Sequence, residues 1–346
     1  MRARSIAPTV ARQPILAFVL LAYLFTWSIS IPLALADQGA LPFDPPFPLH
    51  YLSSFGPMAA ALLTAGLTGG RAGLRDIGRR VVRWRVGAAW WLVALAPVVL
   101  FAAAAAIERL LRGAWPSLHA IGQVNFLPYL GLAAVPLWIV TSGFGEELGW
   151  RGYLLPALQR RHGALQATLL IWLVWTGWHL PYFFYLPGYQ QMGLIGIPEL
   201  AFSLLAGAIL LTWLHNGSGG SLLLVILWHG LFNVFTASEA GQGMVAMAIS
   251  MPVIAAALAI LALARPSDLA GRREPKPSTH RPRPLGNQRG GQEHDHQVEQ
   301  EIQAGEDAGD DLQPAALGGQ LRIVAVESAG ALGQGGHASP EITRVN

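Results

Sequence analysis

Apolar residues fall into long uninterrupted windows separated by short polar connections. The windows lie near 14–36, 51–69, 88–108, 125–143, 164–186, 198–215, 220–237 and 244–264. A helix needs about 17 to 25 apolar residues to cross a hydrocarbon core. The pattern therefore predicts an all-α fold, a polytopic membrane bundle of about eight transmembrane helices. After Ala264 the character changes abruptly. Arg265 to Asn346 is rich in Pro, Gly, Gln, Arg and acids and has no sustained apolar stretch, which predicts a disordered tail. The expected organisation is a multi-pass membrane domain over 1–264, with the chemistry-bearing core in 140–237, followed by a disordered cytoplasmic tail over 265–346.

Composition sharpens this picture. Of 346 residues, 53% are hydrophobic and only 12% charged, and mean hydropathy is +0.41; soluble domains run nearer a quarter charged. The chain contains no cysteine, so disulfides, Cys-ligated zinc and a thiol nucleophile are all excluded. Any chemistry falls to His, Asp, Glu, Ser or Thr.

The net charge is +3 and the basic residues cluster in short loops and in the tail, which argues against a nucleic-acid face. The arginines occupy alternate connections: Arg2, Arg4 and Arg12, then Arg71 to Arg85, then Arg151, Arg160 and Arg161. Segments 37–50, 187–197 and 238–243 have neither Lys nor Arg. The positive-inside rule then predicts a cell-membrane protein with both termini cytoplasmic. Segment 109–124, with Arg109 and Arg112, fits this count least well.

The polar residues inside the apolar windows are few and chemically apt. Ionised side chains near a bilayer core cost a few kcal/mol each, so they are read first as functional. Glu146 and Glu147 are adjacent and Arg151 follows. On a helix Glu147 and Arg151 share a face in the favourable acid-first order, while Glu146 points about 100° away. An ion pair that only caps a cytoplasmic helix would look the same, and Gly145 and Gly149 are spaced for close helix packing. His179 sits in the aromatic run Trp172 to Phe184, which an interfacial belt would also explain. His229 and Asn233, four apart, project from one helical face, either toward a common ligand or as interhelical glue. Peptide-bond hydrolysis needs a base for water, a group that holds the water, and donors for the oxyanion, and this set can fill those roles.

Glu146-Glu147-x-x-x-Arg151, Trp175-x-x-x-His179 and His229-x-x-x-Asn233, in that order on separate segments, resemble the CPBP family of intramembrane proteases. That family includes CAAX prenyl endopeptidases of the Rce1 type and bacterial bacteriocin-processing or Abi proteins. The similarity covers roughly 50–264. One departure is that the second motif usually begins with Phe and here begins with Trp175.

The resemblance implies Glu146 as general base, His179 as water-positioning partner, and His229 with Asn233 as oxyanion donors. Glu147 and Arg151 would orient the site, and Trp175 and Trp178 would form an aromatic wall for substrate. The family is often described as metalloproteases, but no His-Glu-x-x-His is present. Catalysis without any cofactor and zinc hydrolysis, with ligands drawn from Glu146 or Glu147, His179 and His229, both stay open.

The leading expectation is an intramembrane endopeptidase that cuts a membrane-associated or lipid-modified peptide or protein reaching it sideways or from the cytoplasmic face, in contact with membrane lipid. The alternatives are a non-catalytic peptide-binding or bacteriocin-immunity protein of the same fold, and a transporter relaying protons through its buried acids and histidines.

Overall fold

The computed structural model describes residues 7–121, 130–241 and 243–269, so all but the first five residues of the predicted tail lie outside the described residues. Regular structure is helical throughout them. A short helix, Ala7–Arg12, leads into α1 (Pro14–Asp37), where Pro14 sits in the first turn and needs no intrahelical donor. α2 (Gly56–Val81) breaks at Gly70, whose φ of 56° is left-handed and open to glycine without strain. The chain turns back so sharply there that a Cβ on Gly73 would lie 2.8 Å from the Ala65 carbonyl oxygen.

Two short helices follow, α3 (Ala88–Ala94) and α4 (Ala96–Arg112), bent by 50° where Pro97 opens α4. α5 is a continuous helical run over 134–159. It begins and ends as α-helix but widens to π turns over Ile139–Glu146 and Trp150–Leu154. α6 (Ala164–Trp178), α7 (Ile197–Gly217), α8 (Leu222–Ala237) and α9 (Met244–Leu263) complete the bundle.

Each apolar window of the sequence thus holds helix, but the helices are unequal. Three are long and apolar enough to cross a membrane, Pro14–Asp37, Leu194–Gly217 and Met244–Leu263, and the bent α3–α4 pair makes a fourth. α8 is apolar but shorter. α2 carries arginines beyond its break, and α5 carries Glu146, Glu147 and Arg151. The Glu146–Arg151 stretch of α5 is buried among partner side chains, whereas Arg71, Arg75 and Arg79 of α2 are exposed, so neither stretch needs to be apolar.

Close backbone approach fixes α5 against its neighbours. A Cβ on Gly143 would fall 2.5 Å from the Ile226 carbonyl oxygen of α8, and one on Gly230 would fall 2.6 Å from Ile139 Cα. Gly145 meets Ser54 and Gly149 meets Pro57 in the same way, so the glycine pair read from the sequence presses α5 onto the start of α2. A large core of Phe18, Trp150, Ile171, Trp178, Leu211 and Leu214 joins α1, α5, α6 and α7. Thr26 of α1 ties two further elements, accepting from Trp178 Nε1 at 2.8 Å and donating to the Ser53 carbonyl at 2.8 Å.

At the opposite end, where the arginines lie, the connections close over the helix termini. The Ala164 and Leu165 N–H groups that begin α6 donate to the carbonyls of Ser267 and Pro266 at 2.9 and 3.0 Å. These are donors that a helix start leaves without intrahelical partners. Asn216 Nδ2 donates to the Asp268 carbonyl at 2.6 Å, and Leu269 is buried in the main core. The chain immediately after α9 is therefore tethered.

Candidate active site

The three motifs converge at the junction of α5, α6 and α8. Glu146 ends the first π segment of α5, His179 follows the last residue of α6, and His229 and Asn233 lie one turn apart on α8. Wide π turns often occur at functional sites because they displace side chains from the regular helical register. Here such a segment ends on the Glu146–Glu147 pair and sends the two carboxylates into different layers.

The inner layer is a buried ion triad. Glu147 and Arg151 are both wholly buried, and Arg151 Nη1 donates to Glu147 Oε1 at 2.7 Å. The same oxygen lies 2.7 Å from His229 Nδ1. With the proton assigned to Nδ1, Glu147 fixes the imidazole's orientation and leaves its other nitrogen for a second partner. The Arg151 guanidinium lies over the Trp175 ring at 4.9 Å from its centroid. The pair anticipated from the sequence is thus present, and it reaches across to α8.

The outer layer faces a cavity of about 950 Å³. Glu146, His179 and Asn233 contribute to its wall, together with Ser142, Tyr182 and Tyr189. Glu146 Oε2 accepts from Trp175 Nε1 at 3.0 Å, and His179 Nδ1 lies 2.7 Å from the Trp175 carbonyl oxygen. The His179 ring stacks at 6.3 Å on Tyr189 and meets the Tyr182 edge at 5.6 Å. A carboxylate, an imidazole and an amide, from α5, the end of α6 and α8, therefore share one accessible volume.

Trp175 and Trp178 stand behind that wall rather than in it. Trp178 is wholly buried, with its indole on Thr26 and its ring against Trp150. Trp175 acts through its bonds to Glu146 and His179. The aromatic surface that the cavity does present comes from Tyr51, Trp138, Tyr182 and Tyr189, with His50 also in its wall and held 2.8 Å from the Tyr185 hydroxyl. The position of Tyr182 three residues after His179 was the available sequence signal for this surface; nothing in the sequence marks His50.

The donors do not converge as metal ligands. Among the described residues no group of three or more His, Asp or Glu side chains is placed to hold an ion. Glu147 Oε1 and His229 Nδ1 are committed to each other and to Arg151.

Residues 128–235 match the family model described as type II CAAX prenyl endopeptidase Rce1-like. The chain is also 32% identical over 117 residues to CAAX prenyl protease 2 of Methanococcus maripaludis, a match covering 32% of this chain and 41% of that relative. The chain thus aligns with less than half the length of the curated relative. The family-model match takes in the segment that supplies Glu146, His179 and His229, and the apolar helices indicate a membrane protein. Residues 128–235 are therefore similar to the Rce1-like CAAX prenyl endopeptidase family.

Proposed function

We propose that this chain is an intramembrane endopeptidase of the cell membrane that hydrolyses a peptide bond in a membrane-associated or lipid-modified peptide or protein. The observation that carries the reading is the two-layer arrangement, with Glu146, His179 and Asn233 on one cavity wall and the Glu147–Arg151–His229 triad directly behind it.

Glu146 takes a proton from a water held between its carboxylate and His179. The resulting hydroxide attacks the scissile carbonyl carbon, and the carbonyl oxygen becomes an oxyanion. Asn233 on the cavity wall donates to that oxygen, a contribution of about 10²- to 10³-fold per donor in soluble proteases. The proton on Glu146 then passes to the departing amine, the C–N bond breaks, and the base is restored. The triad acts indirectly. It holds the His229 imidazole in place and balances the second carboxylate so that two acids can stand side by side in an apolar interior.

The test compares the termini of membrane peptides between cells carrying the wild-type chain and cells carrying Glu146→Gln. Termini that vanish with the substitution are expected. Identical peptide sets, with the variant folded and inserted, would return the chain to a binding role.

A further inference from the structure

We infer that the cavity between the start of α1 and the end of α5 binds a phosphate-bearing anion, and that its occupant is the headgroup of an anionic phospholipid. The site lies apart from the candidate active site, and the inference holds whether or not the chain cleaves peptides.

The cavity has a volume of about 480 Å³ and two kinds of wall. Arg12, which closes the short helix ahead of α1, reaches it from one side, and Arg160, Arg161 and His162, just after α5, reach it from the other. Ile15, Leu16 and Leu158 give it an apolar floor. Backbone bonds hold both edges. The Ala17 N–H donates to the Gln13 carbonyl at 3.0 Å, and the Arg161 and His162 N–H groups both donate to the Leu158 carbonyl, at 2.9 and 3.0 Å. Three guanidiniums are thus brought to one concavity by two elements far apart in sequence, rather than strung along one solvated helix face.

That convergence is unfavourable without a counterion. The wall contains neither Asp nor Glu, and among the described residues Arg12, Arg160 and Arg161 form no ion pair. All three are exposed, so a ligand can reach them. The negative end of the α5 dipole attracts Arg160 and Arg161, but it gives Arg12 no reason to face them. The start of α1 adds positive character of its own, since Gln13 gives that first turn no side-chain cap. An anion among the three side chains turns mutual repulsion into charge-assisted hydrogen bonds, and the guanidinium fork matches the oxygens of a phosphate.

The apolar floor selects the lipid over free phosphate. α1 is long and apolar enough to cross a membrane. A helix that crosses has its first turn at the level of the headgroups, with the hydrocarbon core beyond it. The arginines then stand where phospholipid phosphates lie, and Leu16, 51% exposed, continues the floor outward to where an acyl chain begins. Basic pockets between transmembrane helices take anionic headgroups in this way. Free phosphate would use the arginines and leave the floor bare. A headgroup bound here ties α1 to α5, a helix pair already joined one turn further on, where Phe18 stacks on Tyr153 at 5.2 Å and meets the Trp150 ring at 5.8 Å. The expected effect is therefore on stability.

The experiment melts the full chain, purified in detergent, with phosphatidylglycerol, with phosphatidylcholine or with inorganic phosphate at matched ionic strength. Phosphatidylglycerol at roughly a hundredfold excess over its Kd is expected to raise the melting temperature by about 5–10 °C. Phosphatidylcholine and inorganic phosphate are expected to leave it within about 2 °C of the lipid-free value. Arg12→Gln/Arg160→Gln/Arg161→Gln should melt no lower than wild type without lipid, because repulsion is relieved, and should lose the rise. Arg71→Gln/Arg75→Gln/Arg79→Gln removes the same charge from exposed positions on α2 and should keep it. The rise retained in the first variant, or lost equally in both, would overturn the site. An equal rise with inorganic phosphate would overturn the lipid as occupant, and an equal rise with phosphatidylcholine would overturn the need for an anion. Arg12→Lys/Arg160→Lys/Arg161→Lys, which keeps the charge and removes the forks, is expected to show about half the rise; an undiminished one would overturn the guanidinium–phosphate pairing.

Discussion

Arg151→Ala should be the most damaging single substitution to stability near the site, although Arg151 does not line the cavity. Its side chain is wholly buried, its Nη1 lies 2.7 Å from Glu147 Oε1, and its guanidinium lies 4.9 Å from the Trp175 ring centroid. Removing one member of a buried ion pair strands the other charge, at about 3–5 kcal/mol. The lost cation–π contact adds about 0.5–2 kcal/mol. His229, on the same Glu147 oxygen, leaves that carboxylate one remaining partner and so limits the loss. A net loss of about 4 kcal/mol is therefore expected, which for a chain of this size is roughly 8–16 °C in melting temperature at about 2–4 °C per kcal/mol. The assay is thermal unfolding of detergent-purified protein beside wild type. The double variant Glu147→Gln/Arg151→Met leaves no unpaired charge and should lose less than Arg151→Ala alone. A melting temperature for Arg151→Ala within about 2 °C of wild type would refute the triad as the structural support of the site.

Other substitutions separate chemistry from scaffold. Glu146→Gln and His179→Ala should each abolish proteolysis, by about 10²- to 10⁴-fold for the lost base, while melting stays close to wild type; residual cleavage near the wild-type rate by purified Glu146→Gln would remove it as the base. Asn233→Ala should lower kcat with little change in KM, because its donor matters where oxyanion charge develops; a change confined to KM would make it a substrate contact. Gly230→Leu should prevent stable folding, since even a Cβ there would lie 2.6 Å from Ile139 Cα, and recovery of a normally melting protein would show that α5 and α8 can separate. Deleting 270–346 should leave melting and turnover intact, whereas deleting 265–346 should lower melting by removing the Pro266 and Ser267 carbonyls from α6 and Leu269 from the core; equal behaviour of the two truncations would contradict that tether.

Much of this architecture was legible because membrane helices announce themselves by length and composition, and because the motif residues are the rare polar groups in apolar stretches. The Glu147–Arg151 pair followed from four-residue spacing alone. The reach of Glu147 to His229 did not, since nothing local records which of two histidines on distant helices meets a given carboxylate. The π turns of α5 escaped for a related reason. Helical-wheel reasoning assumes a constant period, and the widened segment Ile139–Glu146 coincides with the close approach of Gly143 to Ile226 and of Gly145 to Ser54, partners distant in sequence. The resemblance offered Trp175 and Trp178 as an aromatic wall for substrate; their indole N–H groups donate to Glu146 and Thr26.

Trp175 touches nearly every working part of this site. Its indole donates to Glu146, its carbonyl lies on His179, its face carries Arg151, and its edge meets His229 with ring centroids 5.4 Å apart. For the history of the sequence this implies strong epistasis. A change from tryptophan to phenylalanine keeps the carbonyl and much of the ring face but deletes the donor to Glu146, so its effect depends on what residues 151 and 229 have already become. Substitutions at these positions will not combine additively. Lineages that exchange tryptophan for phenylalanine here should do so together with compensating changes on α5 or α8, and the site should drift as a block rather than residue by residue.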